Sequence, residues 1–196
     1  MRQSQILLLL CFVLFYSSSA MADKAIFAGG CFWCMESDFE GLEGVSDVVS
    51  GFTGGTLVNP SYSGDHSGHY EAVEISYDPK RISYADLLEH FWVNIDPFDA
   101  NGQFCDKGHS YLSAIFVANE AERQLAEQSR QRVVAQFPQQ NVITPILDAT
   151  IFYPIQGKES YHQNYSQNNP LRYRFYRLSC GRDARLKQIW GEKAGH

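Results

Sequence analysis

Residues 24–44, which read KAIFAGGCFWCMESDFEGLEG, carry the pattern on which the fold prediction depends. The segment Lys24 to Ala28 is short and largely apolar, as in a buried strand, and Gly29-Gly30 ends it. The apolar residues that follow are spaced by three, four and three positions, which is one face of a helix: Phe32, Met35, Phe39 and Leu42. Cys31 is therefore expected at the turn from strand to helix, at or near the helix N-terminus.

Strand and helix patterns continue to alternate after this segment. Strands are expected over Val45 to Phe52, Tyr70 to Tyr77, Tyr111 to Ala118 and Ile146 to Tyr153, and helices from Ser83 to Trp92 and from Asn119 to about Phe137. From Pro154 onward the pattern is weak, and we expect an irregular C-terminal tail. This order predicts an α+β fold, a two-layer domain whose mixed sheet has helices packed on it around a ferredoxin-like core. No linker or repeat interrupts residues 23–196, so we expect one domain there.

The first 22 residues have the composition of a secretory signal peptide. Arg2 is followed by an apolar run from Ile6 to Tyr16 and by small residues that end at Ala22. The run is shorter than the roughly 20 residues of a membrane-spanning helix, and Cys11 within it would be lost with the peptide. Export is the expected outcome, to the periplasm of a Gram-negative cell or to the medium.

The charge of the chain limits its partners. It has 16 Lys and Arg against 22 Asp and Glu, a formal net charge of -6. Nucleic acids and anionic membranes bind mainly to clustered cations, so we expect neither as a partner. The basic stretch from Arg172 to Lys187 is interpreted as a solvated or substrate-facing surface. We expect the protein to be a monomer.

Cys31 is a candidate nucleophile because of its expected position. A helix N-terminus carries a partial positive charge that favours a thiolate, so we expect a lowered pKa for this thiol. The alternative is a structural cysteine, since oxidising compartments preserve disulfides. Four cysteines after the predicted signal peptide are too few for a disulfide scaffold in a chain of this length, which favours a functional role.

The segment AGGCFWCME at 28–36 resembles the active-site signature of the type A peptide methionine sulfoxide reductases. Further matches follow in the order of that family: VSGFTGG at 49–55, NPSY at 59–62, GHYEAV at 68–73, YDP at 77–79, GQFCD at 102–106, SY at 110–111, YHQ at 161–163 and NP at 169–170. The resemblance covers nearly all of residues 25–191. It implies thiol-dependent reduction of methionine S-sulfoxide, free or in proteins, with no bound cofactor and an external thioredoxin-like dithiol as electron donor.

The resemblance also implies the role of each site residue. Cys31 attacks the sulfoxide sulfur and becomes a sulfenic acid, while Glu71 acts as the acid. Glu71 shares a strand face with apolar residues, where burial would raise its carboxyl pKa, although a strand that begins later would leave it solvated. Tyr62 and Tyr111 donate hydrogen bonds to the sulfoxide oxygen, and Asp106 positions water or a tyrosine. The loop after Tyr62 is shorter than in many family members, which leaves the position of this tyrosine open.

Phe32 and Trp33 are expected to contact the substrate methyl group. A second thiol must resolve the sulfenic acid as an intramolecular disulfide, and Cys180 in the tail is the first choice. Cys34 is a second choice, because two cysteines on one helical turn are poorly placed for a disulfide unless the helix start is irregular. Cys105, another second choice, is either a relay thiol or a packed residue.

Three alternatives use the same residues. Cys31 and Cys34 form a Cys-x-x-Cys motif, as in a thiol–disulfide oxidoreductase of the periplasm, but Trp33 lies between them rather than before them. With His66 and His69 they could bind zinc, yet the chain has no second Cys-x-x-Cys, and we expect no metal. A binding module without catalysis would not explain a nucleophile and a carboxyl group in one signature.

Overall fold

A computed structural model describes residues 22–195, so the predicted signal peptide lies outside the described residues except for Ala22. The strands are β1 Asp23–Gly29, β2 Val45–Thr53, β3 Tyr70–Tyr77, β4 Gly102–Gln103, β5 Asp106–Lys107, β6 Ser113–Val117, β7 Ile146–Asp148 and β8 Tyr153–Pro154. The helices are α1 Phe32–Phe39, α2 Tyr84–Val93, α3 Glu120–Gln136, α4 Tyr165–Asn168, α5 Pro170–Cys180 and α6 Arg182–Trp190, with 3-10 turns at His109–Tyr111, Gly157–His162 and Gly191–Lys193. None of the described helices combines the length and hydropathy required to cross a membrane.

The strand order of the main sheet confirms the predicted fold class. The order is β7-β6-β1-β3-β2-β8, and its four central strands pair with one another in antiparallel fashion. In chain order these strands and two helices run β1-α1-β2-β3-α2-β6, which is the ferredoxin-like arrangement. The pairing of β6 with β7 is parallel, so the sheet is mixed.

The main core lies between one face of this sheet and helices α1 and α2. Phe27 of β1 shows how the layers meet, because its ring lies 5.7 Å from that of Phe39 in α1 and 5.0 Å from that of Phe91 in α2. Ser83 and Asp86 form a capping box at the start of α2, where the helix was predicted to begin. The prediction of α1 and α2 from their apolar spacing is therefore confirmed.

The irregular C-terminal tail was a wrong prediction, because residues 165–190 are mostly helical. Apolar residues of α5 lie on its solvent face, as Leu171 and Phe175 do, while the buried face uses the arginine Arg177. Because the exposed face of α5 carries apolar residues and its buried face carries an arginine, the helical period is obscured in the sequence. Ion pairs hold both α5 and α6, and apolar residues of α6 also join the core.

Asp38 of α1 is the carboxylate at the centre of those ion pairs. It is buried, and it accepts hydrogen bonds from Arg177 at 2.7 Å and from Arg182 at 2.9 Å. The Arg182 guanidinium is also buried and donates to the backbone oxygens of Gly29 and Asn94. One side chain thus joins α6 to the end of β1, to α1 and to the end of α2.

Replacement of Arg182 by methionine is expected to destabilise the fold strongly. Removal of one partner leaves buried charge and acceptors without their donor, which costs about 3–5 kcal/mol in comparable ion pairs. The free energy of unfolding in urea measures this. Arg81→Ala is the control, since its ion pair with Glu43 is exposed on both sides and should be worth less than about 1 kcal/mol. Equal losses in the two variants would contradict this account.

Candidate active site

The two glycines before Cys31 make the turn from β1 to α1 possible. A Cβ at Gly29 would lie 2.4 Å from the Met35 sulfur, and Gly30 has a φ of +87°, a conformation that glycine adopts most easily. Cys31 itself caps the helix with a ψ of 122°, outside the helical range, and its carbonyl accepts the first helical hydrogen bonds. The structure therefore places Cys31 at the helix start, as predicted.

The Cys31 side chain opens into a cavity of about 80 Å³. The residues that line the cavity are Cys31, Phe32, Trp33, Tyr62, Glu71, Asp106, Tyr111 and Tyr176. Seven of these eight are residues that the sequence singled out, brought together from the start of α1, the segment between β2 and β3, β3 itself, β5 and the 3-10 turn His109–Tyr111. The eighth, Tyr176, comes from α5 and was not predicted.

Glu71 lies inside β3 and is buried, so the alternative of a solvated carboxyl group was wrong. Its Oε2 accepts a hydrogen bond from the Phe32 backbone N–H at 3.1 Å. Burial outweighs that hydrogen bond and raises the pKa of Glu71 to about 8. The carboxyl group is therefore mostly protonated at neutral pH and can act as an acid.

The expectation of a lowered pKa for the Cys31 thiol was wrong. Burial, joined by a hydrogen bond with Cys34, raises the pKa of Cys31 well above its ordinary value. The N–H of Phe32, a donor at the helix start, binds Glu71 instead. The shared hydrogen bond lowers the pKa of Cys34, so negative charge in this pair is favoured on Cys34.

Tyr62 and Tyr111 remain neutral hydroxyl groups. Burial raises the pKa of Tyr62 to about 12, and it raises the pKa of Tyr111 as well. Tyr62 stacks on Phe32 with ring centroids 6.0 Å apart, and Glu159 accepts a hydrogen bond from its backbone N–H at 2.9 Å. Tyr111 shares a hydrogen bond with Glu71. Both neutral hydroxyls line the cavity.

Tyr176 connects Asp106 to the nucleophile. Its hydroxyl donates to Asp106 Oδ2 at 2.5 Å and also lies within hydrogen-bond distance of the Cys31 sulfur. Burial raises the pKa of Asp106. The carboxyl group thus orients a tyrosine, which is one of the two functions predicted for it. The 3- and 4-residue spacing of Tyr173, Tyr176 and Cys180 was the sequence signal that could have revealed this helix face.

Trp33 is held by aromatic residues that sequence reasoning did not assign to the site. Its Nε1 donates to His162 Nδ1 at 3.0 Å, and its ring stacks on Tyr165 at 3.8 Å between centroids. Burial lowers the pKa of His162, which keeps the imidazole neutral and able to accept this bond. His162 belongs to the quoted YHQ motif, so that motif contained the missing signal.

The remaining cysteines form two pairs. Cys31 and Cys34 are free thiols in contact with each other. The backbone at Cys31 is not helical, so the helix start is irregular, which is what a disulfide between these two cysteines requires. Cys180, the first choice as resolving thiol, is bonded to Cys105 and joins the end of α5 to the β4–β5 hairpin. The Cys180 sulfur lies 3.9 Å from Asp106 Oδ2, so this second pair borders the active-site cavity.

The histidines of the zinc alternative bind their own loop. His69 Nδ1 accepts from the Gly55 N–H at 3.3 Å, and its Nε2 bonds to the Leu57 carbonyl oxygen at 2.9 Å. His66 stacks on Phe52 with centroids 5.0 Å apart. Both histidine rings thus contact their own loop and strand β2 rather than Cys31 and Cys34, so the geometry does not support a zinc site.

Comparison with known proteins agrees with this site. The family model for peptide methionine sulfoxide reductase matches residues 23–194. The chain belongs to this family. The reductase named MsrA 2 of Caulobacter vibrioides is 49% identical over 172 residues, 86% of each chain, and MsrA of Bacillus subtilis is 44% identical over 179 residues, 89% of this chain and 99% of the other.

Solved structures give the same result at lower identity. Reduced Mxr1 from Saccharomyces cerevisiae matches with a TM-score of 0.69 and 26% identity, over 78% of this chain and 88% of that one. Methionine sulfoxide reductase A of Corynebacterium diphtheriae matches with a TM-score of 0.67 and 28% identity, over 79% and 78%. The protein is therefore an oxidoreductase of the type A family that reduces methionine sulfoxide, and this family needs no cofactor.

Replacement of Glu71 by glutamine should lower kcat by about 10²- to 10⁴-fold, because the amide cannot transfer a proton. In the native enzyme the rate should fall as the pH rises through about 8, where Glu71 loses its proton. The variant should lack this decline. Initial rates of sulfoxide reduction from pH 6 to pH 10, about two units either side of the Glu71 pKa, test both the loss of rate and the loss of the decline. Glu74→Gln, on the same strand but paired with Lys24, is the control. A Glu71→Gln enzyme with the native profile would exclude Glu71 as the acid.

Proposed function

We propose that this enzyme repairs methionine S-sulfoxide in exported proteins, accepts the free amino acid as well, and acts as a monomer. The observation that carries the proposal is one cavity in which a thiol, a protonated carboxyl group and two tyrosine hydroxyls converge. The preference for the S epimer comes from the family resemblance, and export comes from the predicted signal peptide.

The residues of the cavity divide the chemistry between them. The Cys31 thiol gives up its proton and its sulfur bonds to the sulfoxide sulfur, while the oxygen is protonated to a hydroxyl. The bond between the two sulfurs and the S–O bond then break as this hydroxyl passes to Cys31, and the thiol proton replaces the one that the acid gives to the oxygen. Glu71 supplies that proton, and Tyr62 and Tyr111 donate hydrogen bonds to the oxygen as its charge develops. The products are methionine and a sulfenic acid on Cys31, so the oxygen and two oxidising equivalents pass to the enzyme.

The size and lining of the cavity fit the end of a methionine sulfoxide side chain. About 80 Å³ accommodates little more than the methyl sulfoxide group. Phe32 and Trp33 provide apolar ring surface for the methyl group, while the hydroxyl and carboxyl groups stand where the oxygen needs donors. Burial of Cys31 and Glu71 also strengthens hydrogen bonds in their immediate surroundings.

The order of the resolving thiols follows from their positions. Cys34 is in contact with Cys31, so it attacks the sulfenic acid first and releases water. A reduced Cys180 then attacks this disulfide and finally bonds to Cys105. The disulfide seen in the structure is the end point of that sequence, and Cys105 is its exposed member. The proposed first resolving thiol is therefore Cys34, and not Cys180, which was the first choice from the sequence.

An external dithiol protein of the thioredoxin type would then reduce the exposed pair. The yeast Mxr1 has also been solved in complex with Trx2, which makes a donor of this kind the natural choice. A thiol–disulfide oxidoreductase acting through Cys31 and Cys34 is a weaker proposal. These side chains are only 7% and 2% exposed, which leaves a protein disulfide little access to them.

The first test uses separated epimers of a blocked methionine sulfoxide with dithiothreitol as reductant. The mature chain should reduce the S epimer only, and Cys31→Ser should reduce neither, because the nucleophile is gone. Quantitation of methionine by chromatography gives both results. Cys105→Ser is the matched control, since dithiothreitol can reduce the inner pair directly. Reduction of both epimers, or activity in Cys31→Ser, would overturn the proposal.

The second test counts methionine formed by fully reduced enzyme without added reductant. Each sulfoxide consumes one dithiol, so four thiols acting in sequence should yield two methionines per native chain. Cys180→Ser should yield one, because the inner pair still forms its disulfide and no Cys180 thiol remains to release Cys31 from it. One methionine per native chain would show that the outer pair is structural and does not carry electrons.

A further inference from the structure

A second cavity, of about 180 Å³, borders the active site and has no role in the reaction described above. Its wall is formed by residues 59–61, residues 153–156 and Glu159. Ser61 lines this cavity, and the next residue, Tyr62, lines the active-site cavity. The two cavities therefore share the Ser61-Tyr62 segment as a common wall.

The lining of the second cavity combines flat apolar surface with one negative charge. Pro60, Tyr153 and Pro154 contribute rings, and Ile155 adds an aliphatic side chain. Glu159 is the charged residue among the described residues of the lining. A hydrogen bond from the Ser63 hydroxyl lowers the pKa of Glu159, which keeps the group ionised at neutral pH.

The Glu159 carboxylate has hydrogen-bond donors but no cation. It accepts from the backbone N–H groups of Tyr62 and Ser63 and from the Ser63 hydroxyl. None of the ion pairs formed by residues 22–195 includes it. A carboxylate oxygen pair has about four acceptor positions, so capacity for a further donor remains.

The spacing of the two cavities suits an extended polypeptide. Consecutive Cα atoms are about 3.8 Å apart, and side chains on one face of an extended chain recur every two residues, at about 6.6 Å. Tyr62 and Ser61 are consecutive, and Glu159 binds the backbone of the first of them. Because only the Ser61-Tyr62 segment separates the two cavities, the next side chain on the same face of an extended substrate, two positions from the oxidised methionine, is the candidate occupant of the second cavity.

We propose that the second cavity binds the side chain of a lysine or arginine located two residues from the methionine sulfoxide of a protein substrate. The aliphatic stem of such a side chain matches the ring surface, and its cation matches the unpaired carboxylate. The formal net charge of -6 favours basic polypeptides at longer range. This inference rests on the proposed function, because it deepens the recognition of protein substrates.

The test compares short peptides that carry one S-sulfoxide and, two positions before or after it, lysine, norleucine or glutamate. Each kcat/KM is divided by that of the same enzyme for a blocked methionine sulfoxide, which does not reach the second cavity. Lysine at one of the two positions should exceed norleucine by about fivefold, the ratio that corresponds to an ion pair of about 1 kcal/mol. Glutamate there should rank below norleucine.

Gln156 provides a matched pair of variants, since it lines the cavity and caps the 3-10 turn without a side-chain hydrogen bond. Gln156→Lys should reduce the lysine-to-norleucine ratio toward one, and Gln156→Glu should increase it.

A native ratio of one at both positions, or a ratio that neither variant changes, overturns the proposal. If the blocked sulfoxide itself is not reduced, the proposed function fails instead. The dissociation constants of the same peptides for the Cys31→Ser variant then decide the inference by the same ratios.

Discussion

The buried carboxylate of Asp38, paired with Arg177 and Arg182, is the interaction on which the arrangement of the active site depends. It fixes α5 and α6 against α1, the helix that follows Cys31 and carries Cys34. Tyr176 reaches the nucleophile only because α5 is held in that position. Buried ion pairs often contribute little net stability compared with an apolar core. What this one provides is a defined position for a polar helix that has few apolar contacts of its own.

Burial explains the protonation states of the cavity. It raises the pKa values of both Glu71 and Cys31, because it disfavours charge on a carboxyl group and on a thiol alike. Sulfoxide reduction needs an acid that is still protonated, so burial of Glu71 serves the reaction directly. Burial of Cys31 works against it, and the Phe32 N–H that could offset this effect is bound by Glu71. The thiol is therefore reactive in the presence of a sulfoxide that takes up the proton, rather than at rest.

Sequence reasoning succeeded where local pattern and tertiary structure agree. The apolar spacing of α1 and the glycine pair before Cys31 predicted the turn that positions the nucleophile, and a core made of sheet and amphipathic helices could be inferred from the same signals. It failed for α5, whose buried face is polar and whose apolar residues Leu171 and Phe175 face solvent. The thiol pKa was missed because burial cannot be read from the position of Cys31 in the chain. Family motifs supplied most site residues, but Tyr176 lies outside the quoted motifs.

A buried site must still receive electrons from another protein, and in the proposed route the four cysteines of residues 22–195 divide these demands between two pairs. The inner pair is buried, where the proposed sulfenic acid on Cys31 would meet the neighbouring Cys34 before it meets water or a further oxidant. The outer pair has an exposed member, Cys105, and its other member lies 3.9 Å from Asp106, which binds Tyr176. Reduction can therefore begin at the surface and end in the cavity without opening it. On this view the α5 helix, fixed by Asp38, has two functions, since it closes the cavity with Tyr176 and brings Cys180 to its border.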